Sequence, residues 1–166
     1  MKVQSSTIEN KYLRVKSINI GACLYEVYDK KKKINLILNL GSIKNYTLKN
    51  LYVGATCGRY AGRISNSKFN IKNKIFKLKG NEGKNTLHGG KKGFDRLEWK
   101  INHHSKNKII YKLLSKHLDQ GFPGDLNAEC TFEIKNKSLI IKYQYKSNQL
   151  THVSLTNHSY WNLNRN

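Results

Sequence analysis

The sequence predicts an all-β protein, an antiparallel β-sandwich, and three observations carry that expectation. Apolar and polar residues alternate with a period of two along most of the chain. Turn-forming residues recur about every 8 to 12 positions, the spacing expected of short strands in a sandwich. Amphipathic helical spacing is missing outside one short stretch.

The elements follow in order. Residues 12–20 (YLRVKSINI) read as a half-buried strand, and residues 22–28 (ACLYEVY) and 34–40 (INLILNL) as two more. Gly21 separates the first pair, and the lysine run at 30–33 separates the second. Residues 42–51, opened by Ser42, carry the one hint of a helix. Residues 69–71 and 75–78 flank Lys72, Asn73 and Lys74 as a tight hairpin. Further strands are expected at 97–101, 108–114, 126–134 and 139–145, with 135–138 as a hairpin turn, and a last short one at 152–156. No internal repeat or low-complexity linker interrupts the chain, so a single domain over 1–166 is expected. Residues 162–166 carry no closing signal, and a sandwich ending there leaves an open edge and an uncovered core face. The expectation is a truncated folding unit, or one whose open edge a partner chain or dimer covers.

Composition narrows the function classes. No stretch approaches the roughly 18 apolar residues that cross a bilayer, and the amino terminus has no apolar segment of the secretory kind. A soluble, cytoplasmic protein with no membrane partner is the expectation. Cys23, Cys57 and Cys130 are odd in number and lack CxxC spacing, which suits reduced thiols rather than disulfides or zinc. The formal charge of +21 raises a polyanion partner. Against it, lysines are spread along the whole chain and only five residues are arginine, the better reader of phosphate and guanine. No specific nucleic-acid partner is therefore expected, although a basic nucleic-acid binder stands as a minor alternative and weak binding to polyanions at low salt follows from charge alone.

Three stretches are too polar, too rich in glycine and too aromatic for plain connections. In GATCGRYAGRI (54–64), Arg59 and Arg63 either present guanidinium donors to a cleft or are solvated turn residues. In NTLHGG (85–90), followed by GFD (93–95) and Trp99, His88 projects from a loop, as a ligand-binding or a surface histidine. Trp99 is core or a sugar-stacking platform. In LTNHSYWNL (155–163), His158 sits among hydrogen-bonding side chains and two aromatics, a setting that can orient an imidazole for acid–base work or simply satisfy a structural one. His103, His104, His117 and His152 lack such neighbours and read as surface residues. The spacing contains no metal-ligand pattern.

These stretches, with the Gln120–Gly–Phe–Pro–Gly turn and Asp125, resemble the aldose 1-epimerase (galactose mutarotase) family in order and spacing, from about residue 12 to the end. The resemblance implies a galactose mutarotase-like supersandwich that interconverts α and β anomers of aldohexoses by acid/base ring opening, with no cofactor. It implies His158 as the general acid, His88 as a hydrogen-bond partner near the ring oxygen, and Arg63 as a ligand of sugar hydroxyls. Family members usually carry Asn before that arginine, where this chain has Gly62. The family's base, a glutamate, lies downstream of the matched segments with a substrate-binding aspartate and glutamine, so impaired catalysis is expected. A carbohydrate-binding module without turnover is the alternative.

Overall fold

The computed structural model describes residues 2–48 and 52–163. Its strands are β1 (Ser5–Glu9), β2 (Leu13–Ile18), β3 (Cys23–Asp29), β4 (Ile34–Asn35), β5 (Thr56–Cys57), β6 (Arg63–Ile64), β7 (Lys68–Ile71), β8 (Lys74–Lys77), β9 (Thr86–Leu87), β10 (Lys100–His104), β11 (Lys108–Ser115), β12 (Leu126–Lys135), β13 (Ser138–Ser147) and β14 (Thr156–Asn157). One short helix, α1 (Asn45–Leu48), lies inside the expected 42–51, of which residues 49–51 fall outside the described residues.

Two four-stranded antiparallel sheets, β1-β2-β3-β4 and β10-β11-β12-β13, face each other. Alternation decides which side chains turn inward. Ile8, Leu13, Val15, Leu24 and Val27 from the first sheet meet Ile109, Tyr111, Leu126, Ala128, Cys130, Phe132 and Ile134 from the second in one core cluster. Each buried Val, Leu, Ile or Phe side chain among them contributes about 1.5–3 kcal/mol. Between the sheets the Ser17 hydroxyl lies 2.8 Å from the Tyr111 hydroxyl, a contact that satisfies both buried groups. The described residues include no helix long and apolar enough to cross a membrane.

Three expectations shift for local reasons. The stretch 34–40 forms a ladder only at Ile34 and Asn35, because Asn35 turns its side chain onto the backbone. Its Oδ1 accepts from the Val27 N–H and its Nδ2 donates to the Ile37 carbonyl, replacing ladder bonds. The strand expected at 97–101 begins at Lys100, since the Trp99 N–H goes to the Asn19 carbonyl and Glu98 bridges Ile20. The strand expected at 152–156 is reduced to β14, preceded by a single parallel bridge from Ser154 to Tyr60. β1 was not anticipated: of its five residues only Ser6 and Ile8 turn inward, too little apolar signal to read. Residues 164–166, within the 162–166 stretch expected to carry no closing signal, lie outside the described residues.

Candidate functional site

Two loops that the pattern singled out converge. The first leaves β9 at His88, whose φ of +50° turns the chain out of the strand. It can then pass close to Gly58: a Cβ at Gly89 would sit 1.9 Å from the Gly58 carbonyl oxygen, so only glycine fits there. β9 pairs with β6, setting Leu87 opposite Arg63 and Thr86 opposite Ile64. His88 is thereby placed beside Gly62 and Arg63. Its N–H donates to the Gly62 carbonyl (3.0 Å), and the Gly62 N–H donates to its Nδ1 (3.1 Å).

The second loop follows β14, which pairs with β5 through Thr156–Cys57 and Asn157–Thr56. The His158 N–H donates to the Ala55 carbonyl at 2.9 Å and its carbonyl accepts from the Gly54 N–H at 3.0 Å. The Asn157 amide adds a bond from Nδ2 to the Gly54 carbonyl, and its Oδ1 accepts from the Ser159 N–H. The main chain around His158 is thus held on both sides. Its ring nitrogens, by contrast, have no protein hydrogen-bond partner among the described residues.

The two imidazoles meet edge to face, with ring centroids 5.2 Å apart at 87°. Tyr52 lies against both, its ring centroid 4.8 Å from that of His88 and 5.9 Å from that of His158, and the Tyr160 ring centroid is 5.2 Å from that of His158. Tyr160 is one of the two aromatics of the 155–163 stretch, whereas Tyr52 carries no motif legible in isolation. Tyr52 reaches the rings because its φ of +55° bends the chain just before Val53.

Electrostatics distinguish the members. Burial, then the neighbouring His158 and Arg63, lower the His88 pKa, with Glu82 opposing them. Arg63 is exposed and takes Glu82 in a two-pronged pair, Nε to Oε2 at 2.7 Å and Nη2 to Oε1 at 2.6 Å. That guanidinium, chiefly by hydrogen bonding, keeps the Glu82 carboxyl below its usual range. Asp95, in the turn Phe94–Arg96, has only 6% of its side chain exposed. Burial raises its pKa to about 6, against the pull of Arg96. Its charge also acts on Tyr52, whose hydroxyl burial pushes up first of all.

The sequence-selected residues therefore divide. Arg63, His88 and His158 come together. Arg59 does not join them: it is 1% exposed and turns inward, donating to the carbonyls of Ser115, Lys116, Pro123 and Gly124 and to the Ser115 hydroxyl. Burial lowers its pKa to about 10. Trp99 is core, 1% exposed, with its indole N–H on the Phe94 carbonyl. His103, His104, His117 and His152 are exposed. All three cysteines are free and buried. Among the described residues, no group of three or more His, Cys, Asp or Glu is arranged to hold a metal ion.

Comparison with known proteins follows the same outline. The family model described as aldose 1-epimerase matches residues 4–166. A galactose mutarotase from Sus scrofa is 35% identical over 164 residues, covering 97% of this chain and 48% of that protein. An aldose 1-epimerase from Haemophilus influenzae is 36% identical over 166 residues, covering 96% and 48% respectively. The solved structure of a GalM/aldose epimerase homologue from C. elegans superimposes with a TM-score of 0.91 at 29% identity, covering 98% of this chain and 51% of that one. The chain spans about half the length of the curated relatives it matches.

Proposed function

The chain belongs to the aldose 1-epimerase family, and from that premise we propose that Arg63, His88 and His158 form the acid-bearing side of a site that interconverts the anomers of an aldohexose such as galactose. The observation that carries the reading is the meeting of two loop-borne imidazoles, 5.2 Å apart, next to the strand that bears Arg63. His158, its ring nitrogens uncommitted to protein partners, gives a proton to the ring oxygen. A base takes the proton of the C1 hydroxyl as the bond from C1 to the ring oxygen breaks, leaving an open-chain aldehyde. Rotation about C1–C2 and closure on the other face, with both protons returned, give the second anomer. His88 donates to the sugar near its ring oxygen, and Arg63 donates to hydroxyls.

The base is the part this cluster does not furnish from its own carboxylates. Glu82 is committed to Arg63, and Asp95 is buried beside Arg96. The family glutamate expected downstream of the matched segments fills that role in this reading, within a soluble, cytoplasmic enzyme of sugar metabolism. The same commitment of Glu82 and Asp95 favours a second reading, sugar binding without turnover. General acid or base assistance is worth about 10²- to 10⁴-fold each, so a site with an acid and no base loses most of its rate.

Anomer exchange of freshly dissolved α-galactose, followed by NMR, tests the proposal. Acceleration over buffer that is lost in His158→Ala is the expected result; acceleration that survives the substitution overturns the role of His158. Binding without acceleration selects the second reading.

A further inference from the structure

We infer that the Gly62 main chain locks His88 as a neutral Nε2–H donor and that Tyr52 is the positioning residue that keeps both imidazoles in place. The purpose of this arrangement rests on the sugar-site reading above. The lock itself rests on geometry.

A backbone amide can only donate. With the Gly62 N–H 3.1 Å from His88 Nδ1, that nitrogen must offer a lone pair, and a neutral imidazole then carries its proton on Nε2. Charging the ring would set N–H against N–H at Nδ1. The reverse bond, from the His88 N–H to the Gly62 carbonyl at 3.0 Å, closes a reciprocal pair, so a ring flip breaks a bond that the backbone holds in register. Gly62 can aim its N–H this way because its φ is +92°, a conformation that costs glycine little.

Every titratable or charged group acting on the ring leaves the same assignment standing. Arg63 on β6 and a protonated His158 after β14 oppose a second positive charge, and Glu82 before β9, which favours one, is occupied by Arg63. Tyr52, at the turn before β5, contributes a ring wall. It contacts His88 at 60° and His158 at 31°, so one side chain limits the rotation of both rings. His88 can therefore donate to a sugar oxygen and cannot act as the base.

The test is a ¹⁵N–¹H multiple-bond NMR spectrum of the ¹⁵N-histidine-labelled chain, recorded without sugar. Expected is a protonated, pyrrole-like Nε2 and a bare, pyridine-like Nδ1 for His88, unchanged at about pH 6, where free histidine, with its midpoint near 6.5, is already mostly charged. A His88 proton on Nδ1, an even mixture of tautomers, or full protonation at that pH overturns the lock. Tyr52→Phe should keep the pattern. Tyr52→Leu should give mixed His88 tautomers and shift the His158 ring signals; a spectrum equal to wild type removes Tyr52 from its role. Should the leucine variant unfold, Tyr52→Met, which fills the gap without a flat ring, replaces it with the same two outcomes. Because no sugar is present, a locked His88 in a chain that binds no galactose refutes only the sugar-site reading.

Discussion

Replacing Asp95 by asparagine should stabilise the protein at neutral pH and do little in acid. The carboxyl is 6% exposed, its Oδ1 has no hydrogen-bond partner, and its Oδ2 lies 3.6 Å from Arg96 Nε, on a side chain that is itself 41% exposed. Burial outweighs that distant cation and raises the pKa from 3.8 to about 6. The folded carboxyl therefore holds its proton more tightly than the unfolded one, so stability falls as pH rises from about 4 through 6 and stays reduced above. At about 1.4 kcal/mol per pH unit, the ionised group costs about 3 kcal/mol at pH 7.5. At pH 4.0, where the folded carboxyl is already neutral, the cost is only about 0.5 kcal/mol. Asparagine removes the charge, and its buried amide, short of partners as the carboxyl is, takes back about 1 kcal/mol, leaving a net gain of about 2 kcal/mol at pH 7.5. Urea unfolding of both proteins at the two pH values measures it. Equal gains at both, or a loss at pH 7.5, would refute the claim that desolvation dominates at Asp95.

Arg59→Lys keeps a positive charge but cannot reach five acceptors, so the 115–124 loop loses its anchor; about 3 kcal/mol of stability should go, read from the shift in urea midpoint. Gly89→Ala sets a methyl group 1.9 Å from the Gly58 carbonyl oxygen at a φ of +90°, and should cost at least about 2 kcal/mol and disturb the His88 ring signals. For His88 the sign is opposite to Asp95. Its lowered folded pKa means that the unfolded chain binds more protons as pH drops below the ordinary histidine value near 6.5, so this contribution is lost in acid. His88→Gln should therefore raise the urea midpoint at pH 5.5 relative to that at pH 7.5.

Long strands with one buried face were legible because period-two alternation is a physical consequence of the pleat. β11, β12 and β13 were expected at 108–114, 126–134 and 139–145 and run Lys108–Ser115, Leu126–Lys135 and Ser138–Ser147. The hairpin at Lys72 was legible for a related reason, since a short polar segment parts two alternating runs that pair as β7 and β8. Where side chains replace ladder bonds, as at Asn35, hydropathy misleads. Within the site, His88 and His158 stood out because imidazoles among glycines and amides have no core to join. Arg59 and Arg63 look alike in sequence, yet one is buried among carbonyls and the other is exposed, a distinction made by the 115–124 loop folding over the first. Tyr52 was not legible, because its contacts depend on a left-handed turn that brings together loops distant along the chain.

Titrating the chain with galactose while following the ring resonances of all six histidines puts the convergence of Arg63, His88 and His158 to the most direct test. The account predicts saturable shifts at His88 and His158, weakened in Arg63→Ala, with the exposed His103 and His104 unmoved. Rings at 88 and 158 that ignore the sugar, or six that drift alike, would contradict it.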